Sequence, residues 1–204
     1  DQVPLVETFA KADPGIKTLA TIPMLRGTIE TIKDTAAKDI GPVPDDIADM
    51  FEGDTALSWA RSLPQGSTVV DGTWWPDDYS GPPLVSLSTE LRAPLGLAVG
   101  DSIGIVVAGR PIAVTVANLR EIDWREGGLN FRLLFSPGVI ENAPQTVMGS
   151  IDVLDGAAPE VESRLSKAFP TLNFLPVGDA LERIEAILSS LANAVALVGS
   201  LAVV

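Results

Sequence analysis

The last 19 residues of this 204-residue chain, Ala186 to Val204 (AILSSLANAVALVGSLAVV), carry no charge. Such a run must be covered, either by lipid or by protein. A membrane span needs about 20 mainly apolar residues and tolerates Ser, Ala, Gly and an occasional Asn. The residues before it start like a helix: Asp179, with Glu182 three positions on, has the form of a capping box. Leu181, Ile184, Leu188, Leu191, Val195 and Val198 then recur in alternating steps of three and four, one apolar seam running from a charged stem into an apolar rod. The reading is a stalk helix over 178–204 that becomes a membrane span. The alternative is a buried C-terminal helix of a folded domain. If the tail is a span, a second one is expected upstream of Asp1, which no signal peptide precedes.

Composition removes several function classes. The net charge of −13 argues against a basic patch for nucleic acid or anionic lipid. Much of this charge lies between Asp34 and Asp54, where seven acids face only Lys38 and a solvated loop is expected. Cysteine is absent, so there are no disulfides or thiolate metal sites. Histidine is absent as well, which excludes a Ser-His-Asp triad, a histidine base and an imidazole zinc site.

Along the chain, apolar spacing predicts a helix over Val3–Ala12, stopped by Asp13-Pro14-Gly15. A long β-branched strand follows over Ile16–Ile32, interrupted by Pro23 and Gly27. After the acidic connection, with a short helix at Asp45–Phe51, come strand-like pieces at Ala56–Leu63, Thr68–Trp75 and Leu84–Leu87. Helical turns are expected at Ser88–Leu95. Ser102–Val107 and Pro111–Ala117 alternate cleanly across Ala108-Gly109-Arg110, with Ile103, Ile105 and Val107 on the face of Ile112, Val114 and Val116. Asn130–Phe135 is another strand. Short strands at this spacing predict a β-rich module, a partial barrel, over 55–142. Thr146–Leu154, Pro159–Ala168 and Thr171–Leu175 then read as strand, helix and strand. The helix–strand units at the two ends, 1–54 and 143–177, are expected to form one α+β layer, a split βαβ of the ferredoxin-like type into which the β module is inserted.

Few constellations carry chemistry. Asp45, Asp46, Asp49 and Glu52 could offer carboxylates to a hard cation, but they fit no EF-hand spacing, and a solvated acidic face explains them. Asp77-Asp78 sits in a turn beside Pro76 and Gly81. Trp74, Trp75, Tyr79 and Trp124 are candidates for an apolar ligand or partner surface; at least one tryptophan is expected to plug the β module instead. No GxxxxGK[ST] occurs, so the chain has no P-loop for ATP, and nothing pairs a nucleophile with a base. The residues describe a non-catalytic chain.

Four stretches carry a family resemblance: PMLRGTI at Pro23–Ile29, SLPQGSTVVDGTWWPDDYSGPPLVSL at Ser62–Leu87, LGLAVGDSIGIVVAG at Leu95–Gly109 and LREIDWREGGLNFRLLFSPGVI at Leu119–Ile140. Together they resemble a periplasmic region of FtsX-like ABC transporter permeases (the MacB and lipoprotein-release type, in its branch of predicted permeases). The resemblance covers most of 1–177, and its specific parts are GxWW and W…NFxxxFSPG. Ile29–Lys33 lacks a glycine that such permeases conventionally carry after the Arg26-Gly27 strand. The resemblance implies a porter-like α+β domain with an inserted β-rich domain, held above the membrane by stalk helices. It also implies no cofactor in this chain, a separate ATPase subunit that binds ATP, and an inner-membrane location with this domain in the periplasm. ATP-driven motion would pass through the stalk, at Leu181, Ile184, Leu188 and Leu191, to extrude hydrophobic or lipid-linked molecules or to act on a periplasmic partner. The rival reading is a freestanding periplasmic binding or adaptor module that grips an apolar ligand.

Overall fold

The computed structural model describes residues 2–123 and 129–175. The candidate stalk and span, with Leu181, Ile184, Leu188 and Leu191, lie outside the described residues, as does Trp124. Among the described residues no helix is long and apolar enough to cross a membrane. The chain is mixed α+β, as expected, with a large sheet and few helices. Its strands are β1 (Ile16–Ile32), β2 (Thr35–Ala36), β3 (Thr55–Trp59), β4 (Ser67–Gly72), β5 (Leu84–Ser88), β6 (Ser102–Val107), β7 (Arg110–Ile122), β8 (Leu133–Phe135) and β9 (Thr146–Val153). The α-helices are α1 (Val3–Ala12), α2 (Asp45–Ala48), α3 (Arg92–Leu95) and α4 (Ala158–Ala168). Contacts divide the chain into two compact units: 1–7 with 18–151, and 8–17 with 152–204.

In the first unit the sheet closes on itself. β1 pairs with β3, β3 with β8, β8 with β5, β5 with β7, β7 with β6, and β6 returns to β1. Where a partial barrel is expected, these strands form a complete circuit, and β1 is one of its staves. Closure removes sheet edges, leaving β2, β4 and β9 as side branches. Inward-facing Leu25, Ile29, Leu57, Val85, Leu87, Ile103, Ile105, Val114, Val116, Leu133 and Phe135 fill the core. The alternation of Ile103, Ile105 and Val107 survives as a strict buried/half-buried pattern along β6.

A small barrel must bend sharply; two one-residue bulges lie in its staves and a third on the side branch β4. Glu30 is extra in β1 against β6, Val70 in β4 against β7, and Ala117 in β7 against β5. The last bulge explains why β7 runs on to Ile122 although alternation stops at Ala117: the extra residue swaps faces, so Leu119 continues the inward set. Gly27, in the Arg26-Gly27 motif, sits where a Cβ would meet Leu57 Cδ1 at 2.6 Å, Val106 O at 2.8 Å and Val107 Cγ2 at 2.9 Å. Only glycine lets the three strands approach this closely.

The turn after β1 resolves the missing glycine. Lys33 and Asp34 form the two-residue loop between β1 and β2, both left-handed with φ of 50° and 63°. Lys33 holds the turn through its side chain: its ammonium donates to Gly96 O and pairs with Asp101 Oδ2 at 3.0 Å. Asp101 also accepts from Ala98 N at 2.8 Å.

The acidic connection is more than a solvated loop. Ile47 and Met50 belong to the core, and Ile40, Val43 and Phe51 pack against it. Asp46 accepts from Arg132 at 2.7 Å, and Glu90 flanks the same guanidinium at 3.2 Å. The helix expected to Phe51 is α2 followed by a turn.

In the second unit, Phe9 of α1 meets Phe169 edge-on, with ring centroids 5.6 Å apart. The strand expected at Thr171–Leu175 is not formed. Leu172 N bonds Phe169 O in a turn, and Leu175 is exposed. The segment has one β-branched residue and follows Pro170, so little favours extended pairing.

Candidate functional site

Strand direction gathers three connections at one end of the barrel. β3 and β8 are parallel, so both finish there; β5, antiparallel to β8, starts there; and β4 leaves it after Gly72. Residues 60–61, 73–83 and 136–145 therefore meet. The strand expected to reach Trp75 stops at Gly72, whose φ of 77° turns the chain. Trp74 and Trp75 then pack together with ring centroids 4.1 Å apart and planes tilted by 31°. Trp75 is buried and donates Nε1–H to Ala60 O at 2.9 Å. Trp74 is half-buried and donates to Arg61 O at 2.9 Å.

Arg61 links this pair to a third indole. Its guanidinium lies 5.8 Å from the Trp59 ring centroid, a cation–π distance, and it pairs with Glu141 at 2.9 Å. Trp59 donates to Gln145 Oε1 at 3.0 Å, and Gln145 Nε2 donates to Glu141 O at 3.3 Å. Tyr79 turns its hydroxyl back onto Pro82 O at 2.7 Å and packs on Gly81, where a Cβ would come within 2.7 Å of the phenol oxygen. All three indole N–H groups and the phenol are bonded to the protein itself. What the half-buried Trp59 and Trp74 can still offer is ring surface, suited to apolar contact.

Of the expected site residues, the structure brings Trp74 and Trp75 into contact and places Tyr79 in the same connection. Asp77 and Asp78 are exposed on it, and no third acid joins them: no group of three metal-ligating side chains occurs among the described residues. Trp59 and Arg61 belong to the cluster but are absent from the sequence-based set. Their two-residue spacing, which puts both on one side of an extended chain, is the signal that could have found them.

A second feature lies in the LREIDWREGGLNF motif. Arg120, on β7, is fully buried. Its Nε donates to Ser86 Oγ at 3.0 Å, Nη1 to Asn130 Oδ1 at 2.9 Å, and Nη2 to Phe131 O. Ser86 donates to Asn118 Oδ1, Asn118 to Thr73 O at 3.1 Å, and Asn130 Nδ2 to Ser67 Oγ at 2.7 Å. No carboxylate pairs with Arg120 among the described residues, and burial pushes its pKa down to about 10. The guanidinium stays charged, and its acceptors among the described residues are all neutral. This network also explains why β8 begins at Leu133 and not at Asn130: the side chain and carbonyl of 130–131 are committed to Arg120.

No protein-family model matches the chain. It is similar to the uncharacterized ABC transporter permease YbbP of Escherichia coli (strain K12), with 27% identity over 128 residues, 63% of this chain. The match spans 15% of that permease.

Proposed function

We propose that this chain is an extramembrane, periplasmic part of an FtsX-like ABC transporter permease in the bacterial inner membrane, working without chemistry of its own. The observation that carries the reading is the likeness to the permease YbbP. The sequence agrees with it: there is no P-loop, so ATP would be bound by a separate ATPase subunit, and no nucleophile–base pair is present. In this reading the domain division is a porter-like layer from 1–54 and 143–177 and the β-rich 55–142, with β1 shared because it also closes the barrel. The stalk from 178 onward carries ATP-driven displacement to it, since a stiff helix transmits motion that a flexible linker dissipates. The output is release of hydrophobic or lipid-linked molecules, or action on a periplasmic partner. Trp74, Trp75, Tyr79 and Trp124 are the proposed contact region, with Trp59 and Arg61 added.

The test is to place the chain in its whole permease, extract it in mild detergent, and ask whether an ATPase subunit co-purifies. Glycine at Ile184 and Leu188 should uncouple ATPase activity from the periplasmic output. A permease that binds no ATPase would overturn the reading.

The half-buried Trp59 and Trp74 favour a second reading, a freestanding adaptor for an apolar ligand. It requires lipid or detergent to quench tryptophan fluorescence in a titration that Trp74→Phe weakens. A flat titration removes it.

A further inference from the structure

The sequence contains two Asp-Gly dipeptides, Asp71-Gly72 and Asp155-Gly156, and the fold treats them oppositely. In this dipeptide the glycine main-chain nitrogen can attack the aspartyl Cγ unhindered by a side chain. The protonated carboxyl gives up its hydroxyl, the amide its proton, and one water leaves as a five-membered succinimide closes. Water then adds back at either carbonyl, returning aspartate or leaving isoaspartate, so the net change is an isomerisation. Closure requires the chain to rotate freely about both residues.

Asp71 is held against this. It is paired with Leu119 in the β4–β7 ladder and bound to Arg92 at 3.4 Å. A Cβ on Gly72 would press into Ala117 O and Asn118 Cα, so the glycine has no room to move. Asp155 is open. Its side chain is wholly exposed and meets the half-exposed Lys17 ammonium at 3.3 Å, a pair too solvated to restrain it. Nothing lies within 4 Å of a Cβ built on Gly156, which already sits at φ 77° in the turn between β9 and α4.

We infer that Asp155-Gly156 is a site of spontaneous isoaspartate formation, and that its product is a substrate for an isoaspartyl carboxyl methyltransferase. The change inserts one methylene into the main chain. It does so inside the turn closed by Ala157 N on Leu154 O, between the Leu154 N to Gly15 O bond and α4, both bonds being 2.9 Å long. Asp71-Gly72 is the internal control.

The experiment ages the folded protein at mildly acidic and neutral pH and maps isoaspartate by peptide fragmentation and by enzymatic methylation with a labelled methyl donor. In the folded protein Asp155 should exceed Asp71 by roughly tenfold or more, because Asp71 must first open locally. In urea the two should converge. Asp155→Glu, which keeps the charge but cannot close a five-membered ring, should abolish the signal at that site. Equal isomerisation at both sites in the folded protein, an excess at Asp71, or none at Asp155 would overturn the inference.

Discussion

Asp13 and Arg164, 151 residues apart in the chain, form a bidentate pair: Nε donates to Oδ2 at 2.6 Å and Nη2 to Oδ1 at 2.7 Å. Asp13 Oδ1 also accepts from Gly15 N at 2.8 Å, so one carboxylate both ends the turn after α1 and ties it to α4. A fork-to-fork arginine–carboxylate pair fixes orientation as well as distance. This contact and the Phe9–Phe169 edge join the first and last described helices.

The pair makes a pH prediction. Hydrogen bonding from Arg164, then from Gly15 N, holds the Asp13 carboxyl below its usual range against partial desolvation. A lowered carboxylate pKa contributes stability that is full above the unfolded value, about 4, and lost as pH falls through the folded value. Thermal unfolding should therefore show an acid limb that Asp13→Asn flattens, with a lower Tm at neutral pH. An unchanged profile in the variant would show that the pair contributes nothing.

Gly27→Ala should destabilise by about 1–3 kcal/mol, the usual cost of overpacking. The added methyl meets Val106 O, a backbone atom that cannot swing aside. Gly41→Ala, where nothing lies within 4 Å, is the matched control and should be near neutral. Urea unfolding of both variants decides it.

Ala108, at φ 48°, opens the β6–β7 turn in the left-handed region, which costs a residue with a Cβ about 1–2 kcal/mol. Ala108→Gly should recover roughly 1 kcal/mol of this, less the entropy glycine gains in the unfolded chain. Lys33→Gly should recover less than Ala108→Gly, because it also removes the contacts to Gly96 O and Asp101. Reversal of that order in denaturant midpoints would refute the staple.

Arg120→Met should cost roughly 1–3 kcal/mol, since it takes the guanidinium donors from buried Ser86, from the half-buried Phe131 carbonyl and from Asn130, which keeps Phe131 N. Arg120→Lys should not rescue it, because one ammonium cannot span three acceptors set in a planar fork. A lysine variant as stable as the parent in urea would count against the network.

Much of the local structure was legible. α1, β1 and β6 begin and end where periodicity and breaker residues put them, because those signals act within a few residues and need no partner. Asp13-Pro14-Gly15 stops a helix in any context, and a strand with one buried face must alternate. The absence of histidine and cysteine likewise removed imidazole and thiolate chemistry from this sequence by composition alone.

What the tertiary structure decided are relations between distant residues. Closure of the barrel depends on β1 meeting both β3 and β6, and no pattern within β1 names two partners. The bulge at Ala117 reads as the end of a strand until β5 is laid beside it. Arg120 looks like one more surface charge, because burial is a property of the neighbours, and the groups that accept its hydrogen bonds come from β5 and from residues 130–131. For the same reason Trp75 and Trp74, adjacent in the chain and alike in type, divide into a buried plug and a half-open ring. Their sequence put both at the end of a strand, whereas the chain leaves the sheet at Gly72 and both lie in a loop. Where that loop folds back on Ala60 and Arg61 decided which of them faces water.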